Sequence, residues 1–165
     1  MADTFDRWIE WANNPPGQRP GLPSDVHASV ISLDKEDRTD RQKVNAAVEH
    51  RAELRRTGRT AWIYLNDFDR GTQRSIGDPE WVKVFASAEA ADRWFDTHDP
   101  EGVAWEYEIE GGPRHASVWI FLADGGSRQV GDPAWIKLFA SHKSAQNWLE
   151  QNARGGKIWE YPVEE

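Results

Sequence analysis

The chain has 165 residues, a net charge of −8 and no cysteine, which excludes disulfides, thiolate nucleophiles and zinc–thiolate sites. Hydrophobic residues make up 38% of it and charged residues 29%, the balance of a folded chain and not of a disordered one. No apolar run approaches the roughly 18 residues of a membrane span, and the missing cysteines and the acidic start Met1-Ala2-Asp3-Thr4-Phe5-Asp6 fit a cytoplasmic protein.

In chain order, residues 3–13 predict a short amphipathic helix. Phe5, Trp8, Ile9 and Ala12 fall on one stripe, and Asp3 or Thr4 caps the start. A helix this short needs a surface to lie on, either on this chain or on another. Residues 13–23 hold four prolines and two glycines and predict an extended connector. Residues 26–33 are expected to form a short strand. Residues 34–56 read as a longer charged helix with Val44, Ala47, Val48, Arg51 and Leu54 on one stripe. A capping box Thr39-x-x-Gln42 would start that helix later, and Gly58 would end it.

The strongest signal follows. Residues 74–107 recur as residues 128–161 with 15 of 34 positions identical. The shared pattern is R-x-[IV]-G-D-P-x-W-[VI]-K-[VL]-F-A-S, then A-x-x-W, then G-x-x-W-E-Y. Each copy reads β-β-α-β. The first copy places strands at 61–66, 81–86 and 103–109, with a helix from Ser87 to about Thr97; the second places them at 118–123, 135–140 and 157–163, with a helix from Ser141 to about Asn152. A module of about 50 residues buries too little surface to stand comfortably alone. The two are therefore expected to share a core, as one six-stranded, largely antiparallel sheet or as two packed three-stranded sheets about a pseudo-twofold axis. The expected fold is α/β of the α+β type, divided into an N-terminal extension (1–60) and two tandem β-β-α-β repeats (61–110 and 114–165). Trp62-Ile63-Tyr64-Leu65 and Trp119-Ile120-Phe121-Leu122 are apolar on both strand faces, so both faces need cover; helices supply one, and residues 1–60 or a partner the other.

Catalytic and metal motifs are weak. The five histidines do not recur between copies and none lies three or four residues from another, so no metal or Ser-His-Asp arrangement is expected. Asp67-x-Asp69-x-Gly71 resembles the start of a calcium loop, with Asp78 at the closing position by coincidence of spacing, but the flanking helices are missing and the second copy keeps only Asp124; it reads better as a hairpin tip. Gly77-Asp78-Pro79 and Gly131-Asp132-Pro133 read as turns. No cofactor is expected. Residues 61–110 carry four basic and twelve acidic groups, which argues against nucleic-acid binding by the repeats.

Aromatic residues are the best binding candidates. Eight of the ten tryptophans form matched pairs: Trp62/Trp119, Trp81/Trp135, Trp94/Trp148 and Trp105/Trp159. Trp81 and Trp135 directly follow turns and are expected to be partly exposed, on a strand face shared with Lys83/Phe85 and Lys137/Phe139. The run G-D-P-x-W-[VI]-K-[VL]-F-A-S…A-x-x-W…D-P-E-G-V-A-W-E-Y resembles a small module of bacterial proteins. That resemblance covers residues 62–110 and 118–163; it implies an α/β fold and brings no activity or site residues with it.

The resulting expectation is a non-catalytic, cytoplasmic protein-binding or adaptor module. Phe5, Trp8, Trp11, Trp81 and Trp135 are its expected contact residues, with a protein partner or a homodimer as the assembly and no membrane involved. The alternative is a small-ligand or carbohydrate site using Trp81/Trp135 with Arg74, Arg128, Lys83 and Lys137. A further alternative is an enzyme whose site the sequence hides.

Overall fold

The computed structural model describes residues 1–66, 77–123, 134–153 and 155–165. It mixes helices and strands and divides into two units, Met1–Arg56 and Thr57–Glu165. Among the described residues no helix is long and apolar enough to cross a membrane.

The N-terminal unit contains three α-helices, α1 (Thr4–Asn13), α2 (Ser24–Ile31) and α3 (Arg41–Arg56), with a 3-10 turn at Asp37–Thr39. Asp3 caps α1 reciprocally. Its carboxylate accepts from the Asp6 N–H, and the Asp6 carboxylate accepts from the Asp3 N–H, both at 3.0 Å. Arg41 then bridges the two acids, 2.6 Å from each. The strand expected at 26–33 is the helix α2 instead. Within that segment Val26 and Val30 lie on one helical face and are buried with Trp8 and Val44, so a spacing of four, not alternation, meets the core. The cap of α3 is Asp40, which accepts from the N–H groups of Gln42 and Lys43; the Thr39/Gln42 box expected there is not the one used. Gly58 follows α3 with φ +69°, a conformation that favours glycine.

The second unit is a closed barrel of six strands: β1 (Thr60–Leu65), β2 (Val82–Phe85), β3 (Trp105–Glu110), β4 (Ser117–Leu122), β5 (Ile136–Phe139) and β6 (Ile158–Glu164). Two helices lie between strands, α4 (Ala88–His98) and α5 (His142–Asn152). Ser87 and Ser141 cap them, accepting from the N–H groups of Ala90 and Ser144. The order β-β-α-β therefore occurs twice. In each set the first strand lies between the other two and is antiparallel to both. Two parallel seams, β2 with β6 and β3 with β5, then join the sets. Exchanging the first set for the second maps every one of these pairings onto another observed pairing.

Closure is where the architecture departs from the two arrangements expected. A lone three-stranded sheet leaves two edges of unpaired backbone groups, and here each edge pairs with the other sheet, so no edge is left open. The barrel also supplies the second face that the doubly apolar strands require. Ala61, Ile63 and Leu65 of β1 point inward with Val82, Val84, Ile109, Val118, Ile120, Ile136 and Leu138. Tyr64 points outward under α4 with Phe85 and Phe95, and Phe121 points outward under α5 with Phe139. The two expected repeat domains thus have one shared interior.

Candidate functional site

Strand directions give the barrel two distinct ends. Leu65 pairs with Val82, Ile63 with Trp105, Leu122 with Ile136 and Ile120 with Trp159. The ends of β1 and β4 and the starts of the other four strands therefore gather at one end, which we call the mouth. The opposite end holds Thr60, Phe85, Glu110, Ser117, Phe139 and Glu164.

Four tryptophans belong to the mouth. The carbonyls of Trp81 and Trp135 accept from the N–H groups of Asn66 and Ala123, each at 2.9 Å, extending the β1–β2 and β4–β5 ladders by one step. Trp135 is only 9% exposed and Trp81 is partly buried; both pack on the barrel interior. The partial exposure expected for this pair is found for Trp81 and not for Trp135. The strand face expected, shared with Lys83/Phe85 and Lys137/Phe139, is not the one Trp81 uses, because Trp81 sits in a turn. Its N–H and that of Val82 both point at the Asp78 carbonyl, so alternation does not run back through it. The indole N–H of Trp81 is buried and has no acceptor among the described residues.

Trp105 and Trp159 are the exposed members, at 39% and 50%. Their partners Ile63 and Ile120 point inward, so both tryptophans occupy inward parity on the first turn of their strands, where the barrel opens. In the strand order β3 and β6 stand opposite each other. At a strand spacing of about 4.8 Å and a tilt of about 45°, six strands give a diameter of roughly 13 Å between the strands that carry the two indoles.

Trp159 is held on Gly77. A Cβ at Gly77 would lie 2.7 Å from the indole ring, and φ there is +102°, so only glycine satisfies both the turn and the stacking. The Gly77 N–H donates to the Tyr161 hydroxyl at 2.5 Å, which ties the turn before β2 to β6. Burial pushes the Tyr161 phenol above its ordinary value; the Gly77 bond opposes this and the Asp78 charge adds to it.

The other expected site residues have structural employment. Trp8 is 6% exposed in the core of the N-terminal unit, and its Nε1–H donates to the Arg38 carbonyl at 2.9 Å. Trp11 stacks on it with ring centres 5.4 Å apart. Phe5 and Trp11 are half-buried in the same cluster. The α1 stripe therefore lies on its own chain, one of the two surfaces left open for it, and Trp8, an expected contact residue, is buried there. Lys83 and Lys137 fasten the parallel seams, Lys83 to Glu164 at 3.2 Å and Lys137 to Glu110 at 3.0 Å. Beside them the Ala86 and Ala140 N–H groups donate to the carbonyls of Glu164 and Glu110. Neither lysine is a free ligand group. Arg74 and Arg128 lie outside the described residues, as do Asp67, Asp69, Gly71 and Asp132. Among the described residues no group of three or more His, Asp or Glu side chains is placed to hold a metal.

Trp105 and Trp159 were visible as a matched pair but not as site residues. The signal that finds them is position: each is the first or second residue of its strand, three residues after a glycine, Gly102 or Gly156, and only barrel closure turns a strand start into a rim. Comparison of the chain with protein-family models, with curated proteins and with solved structures found no match.

Proposed function

We propose that this chain is a non-catalytic, cytoplasmic binding protein, built on a duplicated β-β-α-β module, that meets a protein partner through the tryptophan-bearing mouth of its barrel. One observation carries the reading: Trp105 and Trp159 occupy equivalent positions on opposite strands and stay 39% and 50% exposed. Exposed tryptophan is costly in water and is enriched where proteins contact each other. The other matched aromatics are used in packing: Trp94 and Trp148 pack with the phenylalanines under their own helices, and Trp81 and Trp135 plug the interior.

The test compares the wild-type chain with the double variant Trp105→Ala/Trp159→Ala, immobilised and challenged with extract of the source cells, with light scattering to detect self-association. The expected result is a partner, or a second copy, retained by the wild type and lost from the variant, while stability changes by less than about 1 kcal/mol. Identical retention by the two proteins overturns the assignment of the mouth. A small flat ligand such as a sugar ring is the second reading, favoured by two exposed indoles at one end of the barrel. It requires saturable quenching of tryptophan fluorescence by an oligosaccharide, absent in the same variant.

A further inference from the structure

Four partly exposed aromatic rings of this chain carry a cation of their own. Arg19 lies 4.1 Å above Trp11, Arg41 lies 4.7 Å from Phe5, and Lys83 and Lys137 lie 5.9 and 5.4 Å from Trp94 and Trp148. The most exposed indoles, Trp105 and Trp159, have no cation and no aromatic neighbour among the described residues. Acidic residues flank them in sequence. Asp78 follows the Gly77 on which the Trp159 indole rests, and Glu80 lies in the same turn, its N–H donating to the Asp78 carboxylate at 2.9 Å. Glu101 lies in the turn that leads into Trp105, closed by a bond from the Gly102 N–H to the Asp99 carbonyl. Glu80 and Glu101 are exposed, and neither they nor Asp78 has an ion pair among the described residues. Among the described residues, an exposed cation flanking these positions in sequence is Lys157, two residues before Trp159. Counting these described residues alone, three carboxylates stand against one ammonium.

We infer that the mouth takes a cationic peptide segment, an arginine- or lysine-bearing stretch of the protein partner, whose charged groups lie over Trp105 and Trp159 and whose remaining charge is met by Asp78, Glu80 and Glu101. The inference rests on the mouth being the binding surface and adds its chemistry. An indole face attracts a guanidinium or ammonium through its quadrupole, more strongly as the pair leaves water. Neighbouring carboxylates raise the local cation concentration and the rate of encounter. An anionic or nucleic-acid partner meets repulsion at the same place.

The experiment titrates the full chain with labelled hepta-arginine and with an uncharged heptapeptide containing leucine, read by anisotropy and by tryptophan fluorescence at low and high salt. Hepta-arginine is expected to bind and to weaken with salt. Trp105→Ala/Trp159→Ala is expected to weaken it about tenfold, Trp159→Phe less than that, and Glu80→Gln/Glu101→Gln about threefold. Asp92→Asn/Asp96→Asn removes the same charge from the exposed face of α4 and is expected to leave binding unchanged. If both charge variants weaken binding equally, the attraction is that of the whole acidic chain and the inference falls. If the neutral peptide binds, is lost with the two tryptophans, and hepta-arginine does not bind, the mouth stands as the surface but the charge assignment is overturned. If neither peptide responds to the tryptophan changes, both the inference and the reading beneath it fail.

Discussion

The two ends of the barrel are made of the same kind of residue pairs and treat them in opposite ways. At the closed end, Phe85 and Phe139 are 0% and 1% exposed under their helices. Ser87 and Ser141 cap those helices, and Lys83–Glu164 and Lys137–Glu110 lie across the seams. At the mouth the matched pairs split by depth: Trp81 and Trp135 sink into the interior while Trp105 and Trp159 remain in solvent. Residues that recur in both copies are therefore not one class. Some recur because each half needs the same packing, and others sit where packing has ended and a contact can begin.

The largest expected effect tests that division directly. Phe139→Ala or Phe85→Ala should cost about 3–5 kcal/mol in chemical unfolding, because a buried ring leaves a cavity between sheet and helix. Loss of under 1 kcal/mol from either would mean that the closed end is no better packed than the mouth. Next is Gly77→Ala. A side chain at φ +102° that also meets the Trp159 ring at 2.7 Å should cost about 1–3 kcal/mol and shift the emission of Trp159, which a Trp159→Phe background would isolate. Ser87→Ala and Ser141→Ala should each cost about 1 kcal/mol, with equal values for the two if the halves use their caps alike.

The smallest effect concerns pH and falls in the N-terminal unit, where aromatic rings are covered by their own chain. Burial, then the charges of Arg19 and Arg38, hold His27 below its ordinary value of 6.5. A depressed value means that the unfolded chain binds the proton more readily. The stability His27 supports is thus present above about pH 6.5 and lost as pH falls toward its lower folded value. Asp3 and Asp6 act in the same sense further down. Asp3 is lowered first by the Asn45 bond and the Asp6 N–H, Asp6 first by Arg41, so their contribution fades as pH falls below the ordinary 3.8. Unfolding midpoints between about pH 7.5 and 5.5 should drop for the wild type and stay level for His27→Gln; a drop of equal size in both removes His27 from the account.

Much of the fold was legible. The six strands and the two capped helices lie within a few residues of where apolar alternation, the Gly-Asp-Pro turns and Ser87/Ser141 put them, because these are local signals. Segment 26–33 departs from its expected strand because Val26 and Val30 sit in a short apolar run too brief to distinguish four-spacing from alternation. The site was less legible. Strand parity put Trp81 and Trp135 on the face of Lys83 and Lys137, which a turn interrupts at Trp81, and the surface under Trp8 was open between this chain and another because its neighbours Val26, Val30 and Val44 are distant in sequence. Lys83 and Lys137 looked free because Glu164 and Glu110 lie 81 and 27 residues away.

What the amino-acid sequence determined alone is therefore the periodic part: which segments extend, which coil, where each begins, and that the same order comes twice. Which faces go inside was decided only when the strand edges found each other across the two parallel seams. Closure converts a two-sided apolar strand into one inner and one outer core, and it turns Trp105 and Trp159, at the starts of β3 and β6, into points on a rim carried by opposite strands. The physical reason is that side-chain direction is set by backbone geometry within a strand, whereas exposure depends on what lies opposite, and here that neighbour comes from the other half of the chain.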